Sequence, residues 1–459
     1  MLRKFIYGLC LVALLVIVGG YGYLHTKLPQ RSGEIVLPGL KHKVQVLFDE
    51  WAVPHIEAQN EQDAFLALGY LHAQDRLFQL ELMIRVAQGR LSEILGEDML
   101  DADRYFRTLG ISRFAETYAK DYFHKNPQNV KDALKAYLSG LNAFVSGGPT
   151  PIEFTLLGIP KREYTIKDLI CTGVYMSYTF TNAVRQDPLL SYIHNTFGAG
   201  YLKDLAVYWP KDDTKIDVSG KSSGSELELA ELSFEIANVL SQVPPFFGSN
   251  AWAVSGSRTK SGKVILANDP HIGYAAPSTW YEAHLKTPDW ELYGHHIAGI
   301  PFAIIGHNRR MAWGVTMLQN DDLDFYLERS NPDNPDQVWF RDDWEDLKII
   351  EEAIPVRDRE DYPLRIRISR HGPVINDVLE PVKESVKQPV ALSWQMLSDF
   401  ENSTEQVFYE LGHSKTLADT HAAVSKLHAP GLNISYGDAE GNIAWWAAAR
   451  LLIRPSHVN

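Results

Sequence analysis

The sequence predicts an α+β protein in which a mainly helical first half precedes a strand-rich second half. Apolar residues recur at helical spacing after Asn60, and short apolar runs bounded by turn residues follow residue 250. The chain has 459 residues, of which 45% are hydrophobic and 22% charged, so it can bury a substantial core. Its formal net charge of −13 provides no general basic surface, and we therefore expect no nucleic-acid partner.

Residues 1–30 are predicted to be a signal peptide or a membrane anchor. Arg3 and Lys4 precede an uncharged stretch, Phe5 to Leu24, which reaches the roughly 20 residues needed to span a bilayer. The small residues of Gly20-Tyr21-Gly22 permit cleavage, whereas a run longer than the usual signal core of about 7–15 residues favours an anchor. A buried core helix is the third alternative, and the basic start argues against it. We expect the residues after about 30 to form an exported, soluble body.

Residues 31–210 are predicted to be mainly helical. They open with alternating residues over 34–58, which indicate two strands joined by a turn. A long helix is predicted from Asn60, a candidate N-cap, to about Gln88, with further helices to about residue 146 and from Tyr164 to Phe197.

Residues 211–248 are predicted to form a linker or removable spacer. The segment is polar and turn-rich, then acidic, and Pro244-Pro245 ends it in an extended form. It contains Gly220-Lys-Ser222-Ser-Gly224, which matches the Gly-x-Ser-x-Gly string of a serine nucleophile elbow. That motif requires a core strand before it and a helix after it, and this polar segment predicts neither.

Residues 249–459 are predicted to be strand-rich and to begin with a hairpin. Apolar runs at 250–255 and 263–268 flank a glycine-containing turn, and reflection through its centre places Ser249 opposite residue 269, within two positions. His271 should therefore lie beside Ser249. Taken alone, Ser249 is better explained as an ordinary serine at a strand start, and His271 as a hydrogen-bonded loop histidine.

A resemblance to a known family changes this interpretation. The sequence resembles the penicillin acylase family of N-terminal-nucleophile hydrolases, including its branch that acts on acyl-homoserine lactones, over nearly all of residues 35–459. The resemblance rests on the segments Asp49–His55, Gly69–Phe78, Gly89–Glu93, Gly248–Trp252, Asn268–His271, Pro301, Gly306–Asn308, Ala312–Thr316 and Asp321–Asp324. It implies a four-layer αββα sandwich with a helical N-terminal chain. Together with the N-terminal segment, it implies a bacterial protein that is periplasmic or anchored in the inner membrane and facing the periplasm.

The resemblance also implies a chemistry. The precursor would cleave itself between Gly248 and Ser249, excise the spacer, and leave an α-chain and a β-chain that form a heterodimer. An α-amine has a reference pKa of about 7.7–8.0, so the new N-terminal Ser249 could supply both the nucleophilic hydroxyl and its base. The expected substrate is a small N-acyl compound, either a penicillin-type amide or an N-acyl homoserine lactone.

The same resemblance assigns the supporting residues. The backbone N–H of Met317 and the side-chain amide of Asn433 would stabilise the oxyanion, His271 would orient the Ser249 amine, and Arg454 would support Asn433. Asn433 is otherwise a turn residue, and Arg454 a surface cation. Asp321, Asp324 and the carbonyl of Leu323 would bind one structural Ca²⁺ per αβ unit, although a solvated acidic turn has the same composition. No organic cofactor is expected.

Two rival interpretations remain. His284, His295, His296 and His307 lack the spacing of a transition-metal site and are better explained as structural residues. The alternative to an enzyme is an incomplete, unprocessed family member that is inactive or only binds ligand at the membrane, because β-chains of the family extend well beyond the position of Asn459.

Overall fold

The computed structural model describes residues 2–181, 189–190, 193, 196–204, 246–379 and 388–453. Most of the predicted 211–248 linker, including the string around Ser222, lies outside the described residues. The helices are α1 (Leu2–His25), α2 (Glu61–Gln88), α3 (Ser92–Leu95), α4 (Leu100–Leu109), α5 (Ile111–Thr117), α6 (Gln128–Gly147), α7 (Ile152–Leu157), α8 (Ile166–Thr179), α9 (Ala199–Asp204), α10 (Thr404–His413) and α11 (Leu417–Val424).

The strands occupy the second half of the chain, apart from the first two. They are β1 (Gln45–Phe48), β2 (Pro54–Glu57), β3 (Phe246–Val254), β4 (Ile265–Ile272), β5 (Trp280–Lys286), β6 (Glu291–Ile297), β7 (Ile300–His307), β8 (Met311–Met317), β9 (Leu323–Leu327), β10 (Gln337–Phe340), β11 (Asp343–Asp346), β12 (Lys348–Ile354), β13 (Tyr362–Ile368), β14 (Val390–Trp394), β15 (Leu432–Asp438) and β16 (Ile443–Ala448).

Helix α2 confirms the prediction made for residues 60–88. The Asn60 side chain caps it by accepting a hydrogen bond from the backbone N–H of Asp63. Gly89 ends it in the left-handed region at φ 61°, where a residue without a Cβ is favoured.

Helices α2 and α6 cross in direct backbone contact. A Cβ at Gly69 would lie 1.9 Å from the carbonyl oxygen of Tyr137, and a Cβ at Gly140 would lie 1.8 Å from that of Leu66. Because no real Cβ tolerates such distances, the crossing requires glycine on both helices.

The main sheet has eight strands in the order β1-β2-β5-β6-β7-β8-β15-β16. Strand β2 runs parallel to β5, with His55 opposite His284, and the remaining neighbours are antiparallel. Helix α2 packs on this sheet through Phe65, whose ring lies 5.6 Å from that of Phe302. Residues before and after the linker therefore share one sheet and one hydrophobic core.

Four smaller two-stranded sheets accompany the main one: β3-β4, β9-β14, β10-β11 and β12-β13. Mixed helices and sheets confirm the α+β class. The four-layer αββα arrangement stays a prediction.

Helix α1 is the one described helix long and apolar enough to cross a membrane, with a mean hydropathy of 2.2 in its most apolar window. None of that window is buried. This exposure gives no support to the alternative of a buried core helix. Whether the segment is a cleaved signal peptide or a retained membrane anchor stays open.

Candidate active site

Ser249 lies in β3, at the start of the predicted hairpin. The antiparallel register places Ser249 opposite Pro270 and Gly248 opposite His271, which confirms the hairpin to within one residue of the predicted pairing. The Ser249 hydroxyl donates a hydrogen bond of 2.7 Å to the carbonyl oxygen of Gly248. The hydroxyl therefore lies against the peptide group that precedes it.

The backbone φ of Gly248 is 149°, a conformation that residues with an L side chain rarely adopt. A Cβ at this position would lie 3.8 Å from Nδ1 of His271, which is ordinary contact. The requirement for glycine thus comes from the backbone angle and not from crowding.

His271 lies opposite Gly248 in the hairpin, and its ring contacts side chains of both strands. Its Nε2 lies 3.1 Å from Oδ2 of Asp269 and 3.5 Å from Nδ2 of Asn250, and 42% of the side chain is exposed. Among the described residues, no hydrogen bond joins His271 to Ser249. The orienting role stays a prediction for the processed chain.

Met317 and Asn433 come together on adjacent strands. The Asn433 side-chain amide donates a 2.9 Å hydrogen bond to the carbonyl oxygen of Met317. The Leu318 N–H donates to the carbonyl oxygen of Gly431, which precedes β15. Because the N–H groups along an antiparallel strand point alternately toward and away from its partner strand, the Met317 N–H points away from β15. The two proposed oxyanion donors are neighbours, and the Asn433 amide keeps a second hydrogen.

Asn268 is the residue that the sequence reasoning missed. Its side chain donates to the carbonyl oxygens of Asn250 (2.9 Å) and Val315 (3.0 Å) and accepts from the Val315 N–H at 2.8 Å. It thereby joins the β3-β4 hairpin to β8 of the main sheet. The sequence feature that could have identified Asn268 is its position in the Asn268–His271 segment, two residues before Pro270.

Gly314 makes room for this bridge. A Cβ there would lie 2.8 Å from the Cβ of Asn268, so a larger residue would push the hairpin away from β8.

Arg454 lies outside the described residues, so its proposed support of Asn433 stays a prediction.

The acidic segment has donors of the kind that calcium prefers. Asp321 is exposed and Asp324 partly buried, while the buried Asp322 accepts a 3.2 Å hydrogen bond from the Trp394 indole. Gln395 N–H donates to the Asp322 carbonyl, so by alternation the Leu323 carbonyl points away from β14. Within the described ranges, no group of three or more His, Cys, Asp or Glu side chains could hold a metal ion. The calcium site stays a prediction.

Ser249 also lines an open cleft between the helices and the main sheet. The walls come from α5, α8, α10 and the sheet. Most of the lining is apolar, including Phe114, Leu169, Val174, Phe302, Phe408 and Leu432. The cleft could hold an apolar group next to the Ser249 hydroxyl.

One charged side chain interrupts this lining. Glu405, in the first turn of α10, is part of the cleft wall, and no Lys, Arg or His lines its described part. Burial raises the pKa of the Glu405 carboxyl above its ordinary value.

Comparison with known proteins shows to which family the chain belongs. The chain is 32% identical over 452 residues to "Penicillin acylase 2 proenzyme" of a Pseudomonas species, strain SE83, covering 94% of this chain and 55% of that protein. It is 27% identical over 438 residues to "Acyl-homoserine lactone acylase QuiP" of Pseudomonas aeruginosa, covering 92% and 51%. The chain thus spans about half the length of these curated relatives.

A solved structure, "Thermostable Penicillin G acylase from Alcaligenes faecalis in orthorhombic form", matches 43% of this chain and 35% of its own at 25% identity, with a TM-score of 0.40. The profile of the family described as "Penicillin amidase" matches residues 43–459. The chain therefore belongs to the penicillin amidase family.

Proposed function

We propose that this chain is part of a self-processing amidohydrolase that cleaves N-acyl amides through an ester on Ser249. The observation that carries the proposal is the contact of the Ser249 hydroxyl with the Gly248 carbonyl, beside an apolar cleft. Family membership and the two relatives described above, both named as acylases, support the reaction class.

Maturation begins with attack of Ser249 Oγ on the carbonyl carbon of Gly248. The C–N bond breaks as the C–O bond forms, and the proton lost by the hydroxyl passes to the released amine. Water then hydrolyses the ester, which leaves a carboxylate on Gly248 and a free α-amine on Ser249. The backbone at Gly248 suits this step because it is already unusual for an L residue.

Turnover repeats the same chemistry on a substrate. The α-amine takes the proton from Oγ, which attacks the acyl carbonyl, and the proton then goes to the departing amine. Water hydrolyses the acyl ester and regenerates the serine. The Met317 N–H and the Asn433 amide would stabilise the oxyanion, a contribution of about 10²–10³ in rate for each donor.

The remaining expectations are part of the same proposal. The segments before and after the spacer would form an α/β heterodimer, which agrees with their shared sheet. Helix α1 would direct the chain to the periplasm or anchor it in the inner membrane. A structural Ca²⁺ at Asp321, Leu323 and Asp324 would hold the chains together, and no step above depends on it.

Acyl-amide hydrolysis is tested by one substitution and a matched control. Ser249→Ala should abolish both self-cleavage and hydrolysis of N-acyl p-nitroanilides by the full chain. Ser257→Ala removes an exposed hydroxyl from the turn of the same hairpin and should leave both intact. Equal activity in the two variants contradicts the proposal and favours the elbow serine, for which Ser222→Ala is the test. Absence of cleavage and activity in the unsubstituted chain favours the inactive or binding-only alternative.

A further inference from the structure

Glu405 is the feature of the cleft that the proposed reaction does not use. It occupies the second position of α10, where Ser403 supplies the cap by accepting from the Gln406 N–H. The helix end thus has its cap without Glu405. First-turn carboxylates usually face solvent, whereas this one lines the cleft that Ser249 also lines.

The cleft wall that contains this carboxylate is mostly apolar, with the Tyr118 phenol close enough to interact with Glu405. Its Oε1 faces α8, since a Cβ at Gly173 would lie 3.9 Å from it. The same cleft is also lined by Val174, Leu169 and Phe408, and the backbone N–H of Glu405 donates to its own carboxylate. Among the described residues, no cation pairs with Glu405 and no side chain donates a hydrogen bond to it.

Glu410, on the same helix, shows the ordinary arrangement. Its two carboxylate oxygens each lie 2.6 Å from Nζ of Lys426, in a partly exposed pair outside the cleft. A carboxylate that lacks such a partner in an apolar site is stabilised by a ligand cation and disfavours a purely hydrocarbon ligand. Without a ligand, burial disfavours the charged form of Glu405, and this desolvation raises the pKa of the carboxyl.

We propose that Glu405 is a specificity-determining residue that selects acyl groups carrying a positively charged amine at the far end of the chain. This inference rests on the proposed function, because it treats the cleft beside Ser249 as the acyl pocket. An apolar stem would lie along the α8 and sheet walls, and the ammonium would donate to the Glu405 carboxylate. A site built to pair with a polar group discriminates strongly against an analogue that lacks it.

The test compares two matched series of probes on the full chain. ω-Aminoacyl p-nitroanilides of four to eight carbons are measured against alkanoyl p-nitroanilides in which a methyl group replaces the ammonium. We expect at least one aminoacyl probe to exceed its methyl counterpart in kcat/KM by about tenfold or more. Glu405→Gln should remove this preference by lowering kcat/KM for the aminoacyl probe and sparing the methyl probe, and Glu410→Gln should leave it unchanged.

Other outcomes separate the specificity role of Glu405 from the proposed hydrolase activity. If the unsubstituted chain hydrolyses both series equally, or Glu405→Gln lowers both by the same factor, the specificity role is wrong and the hydrolase proposal stands. If no probe is hydrolysed, the hydrolase proposal fails, and calorimetric binding decides the role of Glu405. Tighter binding of aminoacyl probes that Glu405→Gln abolishes supports the role, and equal or undetectable binding overturns it. Glu405→Met replaces Glu405→Gln if the latter does not fold.

Discussion

The crossing of α2 and α6 and the attachment of the β3-β4 hairpin are opposite ways of joining two elements. The helices meet backbone to backbone, with Gly69 and Gly140 each facing a carbonyl oxygen of the other helix. The hairpin is joined to β8 through the side chain of Asn268, and its Trp252 is 53% exposed. The first contact brings one backbone against another, whereas the second depends on side-chain hydrogen bonds, for which Gly314 leaves the room.

This difference matches what each region has to do in the proposed enzyme. Helices α2 and α6 pack against the main sheet, which forms part of the cleft wall. In the proposed maturation the hairpin contains the peptide bond to be cut, and the new chain end would then lie beside the cleft. The proposed reaction therefore requires both a packed cleft wall and a strand that can be cut.

The largest effect is expected at the helix crossing. Gly140→Ala should cost about 4 kcal/mol or more in the free energy of unfolding, or prevent folding, because the added methyl overlaps the Leu66 carbonyl. Gly147→Ala lies at the end of the same helix with nothing within 4 Å of the new methyl, and should change stability by less than about 1 kcal/mol. Urea unfolding of both variants measures this, and equal stabilities would show that the helices can separate freely.

A smaller effect is expected at the hairpin. Asn268→Ala removes three hydrogen bonds to backbone groups in a partly buried site and should cost about 2 kcal/mol. It should also slow self-cleavage, because the scissile bond is positioned by the same hairpin. Lys260→Ala, in the exposed turn of the same hairpin, is the control. If Asn268→Ala matches this control in both stability and cleavage, the hairpin is held by other contacts.

The sequence predicts features that depend on neighbouring residues, but not contacts between segments that are far apart in the chain. Local signals were sufficient for α2, where Asn60 and Gly89 mark the ends, and for the hairpin, whose turn fixes the register of Ser249. Contacts between distant segments were not predictable. Neither the bridge from Asn268 to Val315 nor the meeting of Gly140 with Leu66 leaves a periodic pattern.

The same limit explains the cleft. Glu405 reads in sequence as a favourable acidic residue in the first turn of a helix. Its position opposite Gly173 depends on how α8 and α10 pack. Met317 and Asn433 were found through resemblance to a family, and their adjacency follows from the pairing of β8 with β15.

The smallest effect is expected from pH and acts where α2 packs on the main sheet. His72 and His296 are buried, and burial lowers the pKa of His72 well below its ordinary value and that of His296 to about 3. The unfolded chain takes up these protons below about pH 6.5 while the folded chain does not, so stability is full above that pH and falls as pH decreases toward 3.

Each buried histidine should lower the free energy of unfolding by about 1 kcal/mol between pH 6.5 and 5.5. In urea unfolding at the two pH values, His296→Gln should reduce the loss by one histidine's share, and His124→Gln, an exposed residue, serves as the control. An unchanged loss in His296→Gln would contradict the assignment.

The central claim is that Ser249 becomes an N-terminal nucleophile, and the N-termini of the purified full chain test it most directly. Intact-mass and N-terminal analysis should find a chain that begins at Ser249, and Ser249→Ala should remain uncleaved between Gly248 and residue 249. A Ser249→Ala chain cut at the same bond, or an unsubstituted chain that stays intact there, would contradict the account.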